Sequence, residues 1–365
     1  MRQGLQSVLL CLLMIFGSLS GCFGSDEEEE DVLSTHWLPN VEDRSMMIYD
    51  NTDVFSRVSV NGSYEIGEVM SVFVPVPEID ASDGGAGITG GAEVHLGLWL
   101  PVIEGCDWTS SDIPEDCKVP VIAEIGPYYN DGDVDALTPA DRLGRFLIEN
   151  FVPHGFGVAQ VSVFGTGDSN HCMDLMGHDE QAGIKAAVDW LGTQEWSNGN
   201  VGLYGKSYEG ATQWEAAAMG SEFLKTIVPV SGTTALHPLL YKNGSAEARS
   251  QIMHMNYFSS TVDYNEDDLD NVCPDIAEGL FAGPVTYIAG EMDPYMQNYY
   301  DDRSHIDKAI NNWQGSIYWV QGMQDWNVDP HQVFGGPPGI NSVSYTHLRA
   351  HETVLDIVCR LLLEK

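Results

Sequence analysis

From about residue 91 onward, short apolar runs alternate with amphipathic stretches of helical period. Val94–Leu100, Val119–Ile125, Gly157–Phe164, Val201–Tyr204 and Thr226–Val230 are rich in aliphatic side chains and lack polar alternation. Such runs predict strands buried on both faces. Between them, Pro139–Phe151 sets Leu143, Phe146, Leu147 and Phe151 at helical spacing, behind a proline suited to a first turn. Glu180–Leu191 predicts an amphipathic helix and Ala211–Met219 an alanine-rich one, while Asn198-Gly199 predicts a turn. Strand and helix in alternation imply an α/β class: a mostly parallel central sheet with helices on both faces. From Ala235 to about Gly279 the rhythm gives way to polar, methionine-bearing and aromatic sequence. An insertion over the sheet, a helical cap at about 235–283, accounts for it. Pro284–Ala289 and Ser316–Gln321 then restore two core-type strands. Residues 45–90 read as a strand-rich leader, with Tyr64–Val76 interrupted at Pro75 and a Gly-rich loop at Ala81–Gly91.

The first 44 residues carry no such rhythm. Arg2 is followed by an apolar run, Val8–Phe16, too short to span a bilayer as a mature helix. Leu19-Ser20-Gly21-Cys22 comes next and resembles the lipobox of prokaryotic lipoproteins. The resemblance implies a signal peptide over 1–21 and acylation of Cys22. The chain would then be extracytoplasmic and held to the membrane by lipid, with 22–44 as an acidic tether containing SDEEEED.

Charge narrows the partners. There are 54 acidic and 16 basic residues, for a formal net charge of −38. Nucleic acid is therefore not an expected partner, since phosphate contacts need clustered Lys and Arg. The excess reads as an acidic surface suited to salty water, or as recognition of a basic substrate. Of seven cysteines, Cys11 lies in the signal, Cys22 in the lipobox and Cys359 in the final stretch. Cys106, Cys117, Cys172 and Cys273 remain, an even number that suggests disulfides in an exported chain. Cys106 and Cys117 flank a short polar loop and pair most simply, which leaves Cys172 with Cys273. No CxxC or His/Cys cluster is visible, so neither a metal site nor a cofactor is expected.

The chemistry is carried by Gly205-Lys206-Ser207-Tyr208-Glu209-Gly210. It lies between a predicted strand and a predicted helix, the setting of the nucleophile elbow in α/β-hydrolases. A serine on that sharp turn is exposed at the sheet edge, and the following helix aims its N-terminus at a developing oxyanion. One departure is plain: the glycine usual two residues after the serine is Glu209, and Gly210 follows it. Asp293 and Asp325 each follow a predicted core strand, where this fold places its acid.

Gly-x-Ser-Tyr-x-Gly followed by Ala-Thr-Gln-Trp-Glu resembles the X-prolyl dipeptidyl-peptidase and cocaine-esterase family of serine hydrolases. Pro127-Tyr128, Gly165-Thr166-Gly167-Asp168-Ser169, Asp189-Trp190-Leu191, Trp196 and Gly322-Met323-Gln324-Asp325-Trp326-Asn327-Val328 match it in order, over roughly residues 90–335. The resemblance implies Ser207 as nucleophile and Asp325, rather than Asp293, as the acid that orients a histidine. It implies an oxyanion hole made by the Tyr208 N–H and the Tyr128 hydroxyl. Substrates would be peptides with X-Pro N-termini or, in the esterase branch, simple acyl esters. A peptidase needs carboxylates for the free α-amine, and Glu209 and acids of the cap are candidates. A third reading is a surface binding protein on a catalytically dead scaffold.

The base is the gap in this scheme. The chain order Ser, Asp, His asks for a histidine after Asp325. His331 lies too close to the acid. His347 and His351 have workable spacing but lie in 342–365, a stretch unlike the acidic chain before it. SVSYTHLRAHETVLDIVCRLLLEK resembles translated sequencing-adapter read-through, so 342–365 reads as a non-native tail, with 91–341 as the hydrolase domain. The catalytic His is then expected to be missing, and the 365-residue polypeptide nearly inactive.

Overall fold

A computed structural model describes residues 62–81, 86–131, 134–140, 144–242, 245–246, 273, 294–322, 325 and 328–330. All belong to one compact unit, Phe55–Lys365. Among the described residues seven strands form the central sheet: β1 (Met70–Pro75), β2 (Glu93–Trp99), β3 (Val119–Gly126), β4 (Gly157–Ser162), β5 (Ser197–Lys206), β6 (Leu224–Val230) and β7 (Ser316–Ile317), in the order β7-β6-β5-β3-β4-β2-β1. The pairs β3–β4, β3–β5, β5–β6 and β6–β7 are parallel, whereas β1–β2 and β2–β4 are antiparallel. The α/β class with a mostly parallel sheet is therefore the architecture observed. Because β1 pairs along β2 from Met70 to Pro75, the sheet begins before residue 91, inside the leader segment.

Alternate strand residues feed two cores. Val121, Ala123, Ala159, Leu203 and Ile227 face the cluster shared with helix α2 (His178–Thr193) and helix α3 (Tyr208–Met219). Ile122, Val158, Tyr204 and Val228 face the opposite cluster, under helix α1 (Gly144–Phe151). The inner strands are thus dry on both faces, which explains their unbroken aliphatic runs, whereas the edge strand β1 alternates and leaves Phe73 exposed. Among the described residues three further helices follow: α4 (His237–Leu240), α5 (Pro294–Asp302) and α6 (Ile306–Asn312). Ala309 of α6 and Trp313 just past it complete the α2–α3 side.

Local structure departs from the sequence reading in three places. Helix α1 does not start at Pro139: Pro139 and Ala140 are irregular, and the described helix runs from Gly144. The side chain of Gln160 explains it, because its Oε1 accepts the Ala140 N–H at 2.9 Å and its Nε2 donates to Thr138 O at 2.8 Å. Asn198-Gly199 is not a turn between elements. It is a bulge inside β5, with Gly199 at φ 78° and a register shift against β3 between Val119 and Val121. Of the strand expected over Ser316–Gln321, only Ser316–Ile317 and a bridge from Val320 to Val230 pair with β6. The strand expected over Pro284–Ala289 and most of the cap lie outside the described residues, which there include α4, the antiparallel pair of Tyr241–Lys242 with Ser245–Ala246, and Cys273.

Candidate active site

Ser207 stands where β5 ends and α3 begins, at φ 66° and ψ −119°. Few non-glycine residues adopt this left-handed backbone, which costs on the order of 1–3 kcal/mol and persists only where the surroundings enforce it. The Ser207 N–H donates to Val230 O at 2.9 Å, and Ser207 O accepts the N–H groups of Gly210 and Ala211 at 2.9 and 3.0 Å. The displaced glycine now has a physical cause. A Cβ on Gly210 would stand 2.8 Å from the Gly232 Cα, so α3 and the segment leaving β6 meet backbone to backbone at this point. Position 209 has room for a side chain. Glu209 is buried under the end of β3, with its Cγ 2.5 Å from where a Gly126 Cβ would be and the Tyr129 hydroxyl donating to it at 3.5 Å.

Asp325 lies at the same edge of the sheet and is half-buried. Contacts from strand to strand connect it to the elbow. Val230, which accepts the Ser207 N–H, precedes Ser231, whose N–H donates to Val320 O at 2.7 Å. The Gly322 N–H donates to Ser231 Oγ at 3.4 Å, and Asp325 N–H donates to Gly322 O at 3.1 Å, closing a turn. Asp325 Oδ1 accepts the Val328 N–H at 3.0 Å. Tyr128, two residues past β3, packs on the apolar cluster that holds Tyr208, Met173, Leu175 and Met176. Ser207, Tyr208, Tyr128 and Asp325 thus share the C-terminal edge of the parallel strands, where open α/β sheets carry their sites. Asp293, His331, His347, His351 and Cys22 lie outside the described residues.

Both expected disulfides are present, Cys106–Cys117 and Cys172–Cys273. The second joins the loop after β4 to the cap segment, and the Cys273 N–H also donates to Met173 O at 3.0 Å. His171 comes within 4.8 Å of both sulfurs, which are already bonded to each other.

Sequence reasoning missed a buried charged network beneath the elbow. Arg303, fully buried after α5, donates to Asp174 Oδ1 at 2.7 Å, Asp174 O at 2.8 Å, Leu175 O at 3.0 Å and Tyr299 O at 3.2 Å. Its guanidinium lies 3.6 Å from the centre of the Tyr299 ring. The hydroxyl of Tyr208 donates to Glu180 at 2.7 and 2.9 Å and accepts the Met176 N–H at 3.0 Å. Burial pushes the Glu180 carboxyl up to about 7, against the opposing pull of Tyr208, the Met176 N–H and Arg303. Burial and the neighbouring Glu180 and Asp174 carry Glu215 well above the usual carboxylate range, and neither of its oxygens has a hydrogen-bond partner. Burial, then Glu180 and Glu215, raises the Tyr208 phenol in the same way.

A second serine–histidine–acid grouping lies far along the sheet. Ser71 Oγ is 2.9 Å from His95 Nε2, and His95 Nδ1 is 3.6 Å from Asp168. Ser71 sits inside β1 with its backbone extended along β2, whereas Ser207 tops a strained turn at a helix N-terminus. Only Ser207 has the architecture that acyl transfer needs.

A protein 29% identical over 254 residues, provisionally named a Xaa-Pro dipeptidyl-peptidase of Bacillus anthracis, aligns with 59% of this chain and 39% of its own length. The Xaa-Pro dipeptidyl-peptidase of Streptococcus sanguinis is 24% identical over 247 residues, covering 58% of this chain and 30% of its own. The chain thus spans between 18% and 40% of the length of the curated relatives it matches. Among solved structures, a CocE/NonD family hydrolase of Staphylococcus aureus superposes with a TM-score of 0.45 at 15% identity, over 73% of this chain and 50% of that one. The family model described as X-Pro dipeptidyl-peptidase (S15 family) matches residues 90–335, a span that takes in Tyr128, the Ser207 elbow and the Asp325 turn. The chain belongs to the X-Pro dipeptidyl-peptidase (S15) family.

Proposed function

We propose that the protein is a serine hydrolase that cleaves peptides after an N-terminal X-Pro pair through a covalent acyl-enzyme. The observation that carries this reading is the strained left-handed Ser207 at the junction of β5 and α3. Ser207 Oγ attacks the scissile carbonyl and its proton passes to a histidine base. The N–H of Tyr208 and the Tyr128 hydroxyl stabilise the tetrahedral oxyanion, and Asp325 steadies the imidazolium. Collapse expels the amine with that proton. Water then attacks the ester, giving its proton to the same base and releasing the acid and free Ser207. Attachment to the membrane through acylated Cys22 belongs to the same reading, and incorporation of labelled palmitate that is lost in Cys22→Ala checks it.

Assay of Ala-Pro-p-nitroanilide and p-nitrophenyl acetate on protein expressed from the contiguous genomic sequence tests the reaction. Turnover of the anilide that vanishes in Ser207→Ala is expected. Turnover of the acetate alone would place the protein with esterases, and no fluorophosphonate labelling of Ser207 would leave a binding protein on a hydrolase scaffold. In the protein expressed from the genomic sequence, His331→Ala and alanine variants of each histidine encoded beyond Asn341 identify the base; His347→Ala and His351→Ala in the 365-residue chain test those two.

A further inference from the structure

We propose that Glu180 is a positioning residue for acyl transfer: by accepting the Tyr208 hydroxyl it fixes the first turn of α3 and, with it, the backbone N–H that faces the oxyanion. The inference rests on the reading of Ser207 as nucleophile. Its basis is that the residue after the serine is anchored at both ends. Its backbone follows a left-handed turn, and its side chain runs down into the protein to a carboxylate that takes the hydroxyl with both oxygens, at 2.7 and 2.9 Å.

Glu180 lies in the first turn of α2, so the bond ties the N-termini of two helices together. The same hydroxyl holds the N–H of Met176, at φ 64°, beside Leu175, at φ 40°. These strained non-glycine residues are gripped from the other side by Arg303, which bonds Leu175 O and both the backbone and the carboxylate of Asp174. Strain of this kind requires over-determined surroundings, and Tyr208, Glu180 and Arg303 provide them. Asp174 pairs directly with the Arg303 guanidinium at 2.7 Å, while Glu180 and Glu215 lie near enough for its charge to act on them. Of these three buried carboxyls, Glu180 is the one that bonds Tyr208.

An oxyanion donor acts on the transition state more than on bound substrate, so displacing it lowers kcat and leaves KM. Loss of a donor outright costs roughly 10²–10³ in kcat. A donor that is loosened rather than lost is expected to cost roughly 10- to 100-fold. The test compares Tyr208→Phe, Glu180→Ala and Glu180→Gln with wild type and Ser207→Ala, using protein expressed from the contiguous genomic sequence. Tyr208→Phe and Glu180→Ala should lower kcat with KM nearly constant. Glu180→Gln, which still accepts the phenol, should recover most of it. If Ser207→Ala is inactive and both Tyr208→Phe and Glu180→Ala keep wild-type kcat, the positioning role is wrong while the nucleophile stands. If Glu180→Ala does not fold, Tyr208→Phe and Glu180→Gln decide the matter alone: wild-type kcat in Tyr208→Phe, or kcat in a folded Glu180→Gln as low as in Tyr208→Phe, overturns the role. If wild type is inactive or Ser207→Ala retains turnover, both readings fall together.

Discussion

The two ends of the central sheet turn their chains by different means. At the end where the parallel strands begin, left-handed backbone is given to glycine: Gly155 before β4 and Gly220 before β6. Glycine takes that conformation at little steric cost. At the other end two glycines, Gly165 and Gly167, are joined by all four left-handed residues that are not glycine among the described residues: Leu175, Met176, Ser207 and Ser231. There the backbone is strained and the interior below it is charged, with Asp174, Glu180, Glu215 and Arg303 all buried. One end is built to turn and the other to hold side chains in positions the chain would not choose. The difference teaches where stability has been traded for geometry.

The largest expected effect falls on the strained end. Ser207→Ala should reduce kcat by about 10⁶-fold, as loss of a nucleophile does, and should abolish phosphonate labelling. Arg303→Leu comes next. It strands the buried Asp174 carboxylate, and a chemical melt should show a loss of about 3–5 kcal/mol. A smaller effect concerns pH. Burial raises Glu180 from an ordinary carboxylate value to about 7 in the folded state. A raised folded value means the contribution is complete below the unfolded pKa, near 4.5, and is lost as pH climbs through about 7. Unfolding free energies measured from pH 4.5 to 7.5 should fall in wild type, with Glu180 contributing on the order of 3 kcal/mol, and fall less steeply in Glu180→Gln. The relaxed end supplies the control. Gly220→Ala, at φ 67° with Asn312 O 2.7 Å from the added Cβ, should lose about 1–2 kcal/mol of stability and leave kcat unchanged. The smallest effect has the opposite sign. Ser207→Gly relieves the left-handed strain and should raise stability by about 1 kcal/mol in an inactive protein. If Gly220→Ala impaired turnover as strongly as Tyr208→Phe, the contrast between the two ends would not stand.

The sheet was legible because its inner strands are dry on both faces, so Val119–Ile125 and Val201–Tyr204 stand out as unpatterned aliphatic runs. The elbow was legible because strand, serine and helix are contiguous. Its odd glycine was not, since the reason for Gly210 is Gly232, on another segment. The two disulfides followed from counting. Helix α1 was misplaced at its start because Gln160, in β4, takes the Ala140 N–H. Hidden altogether was the network under Ser207. Asp174, Glu180, Glu215 and Arg303 look like surface charges in a sequence this acidic. Nothing local marks Arg303 as the partner of Asp174, which precedes it by 129 residues.

The Cys172–Cys273 bond has one more consequence. It closes a loop with a sequence separation of 101, and that loop carries helix α2, Ser207, α3 and β6. A protease that nicks the backbone once anywhere between residues 173 and 272 therefore releases no fragment. Both pieces remain one covalent molecule, with the nucleophile still attached to the rest of the sheet. A chain closed in this way can be cut and still keep its parts.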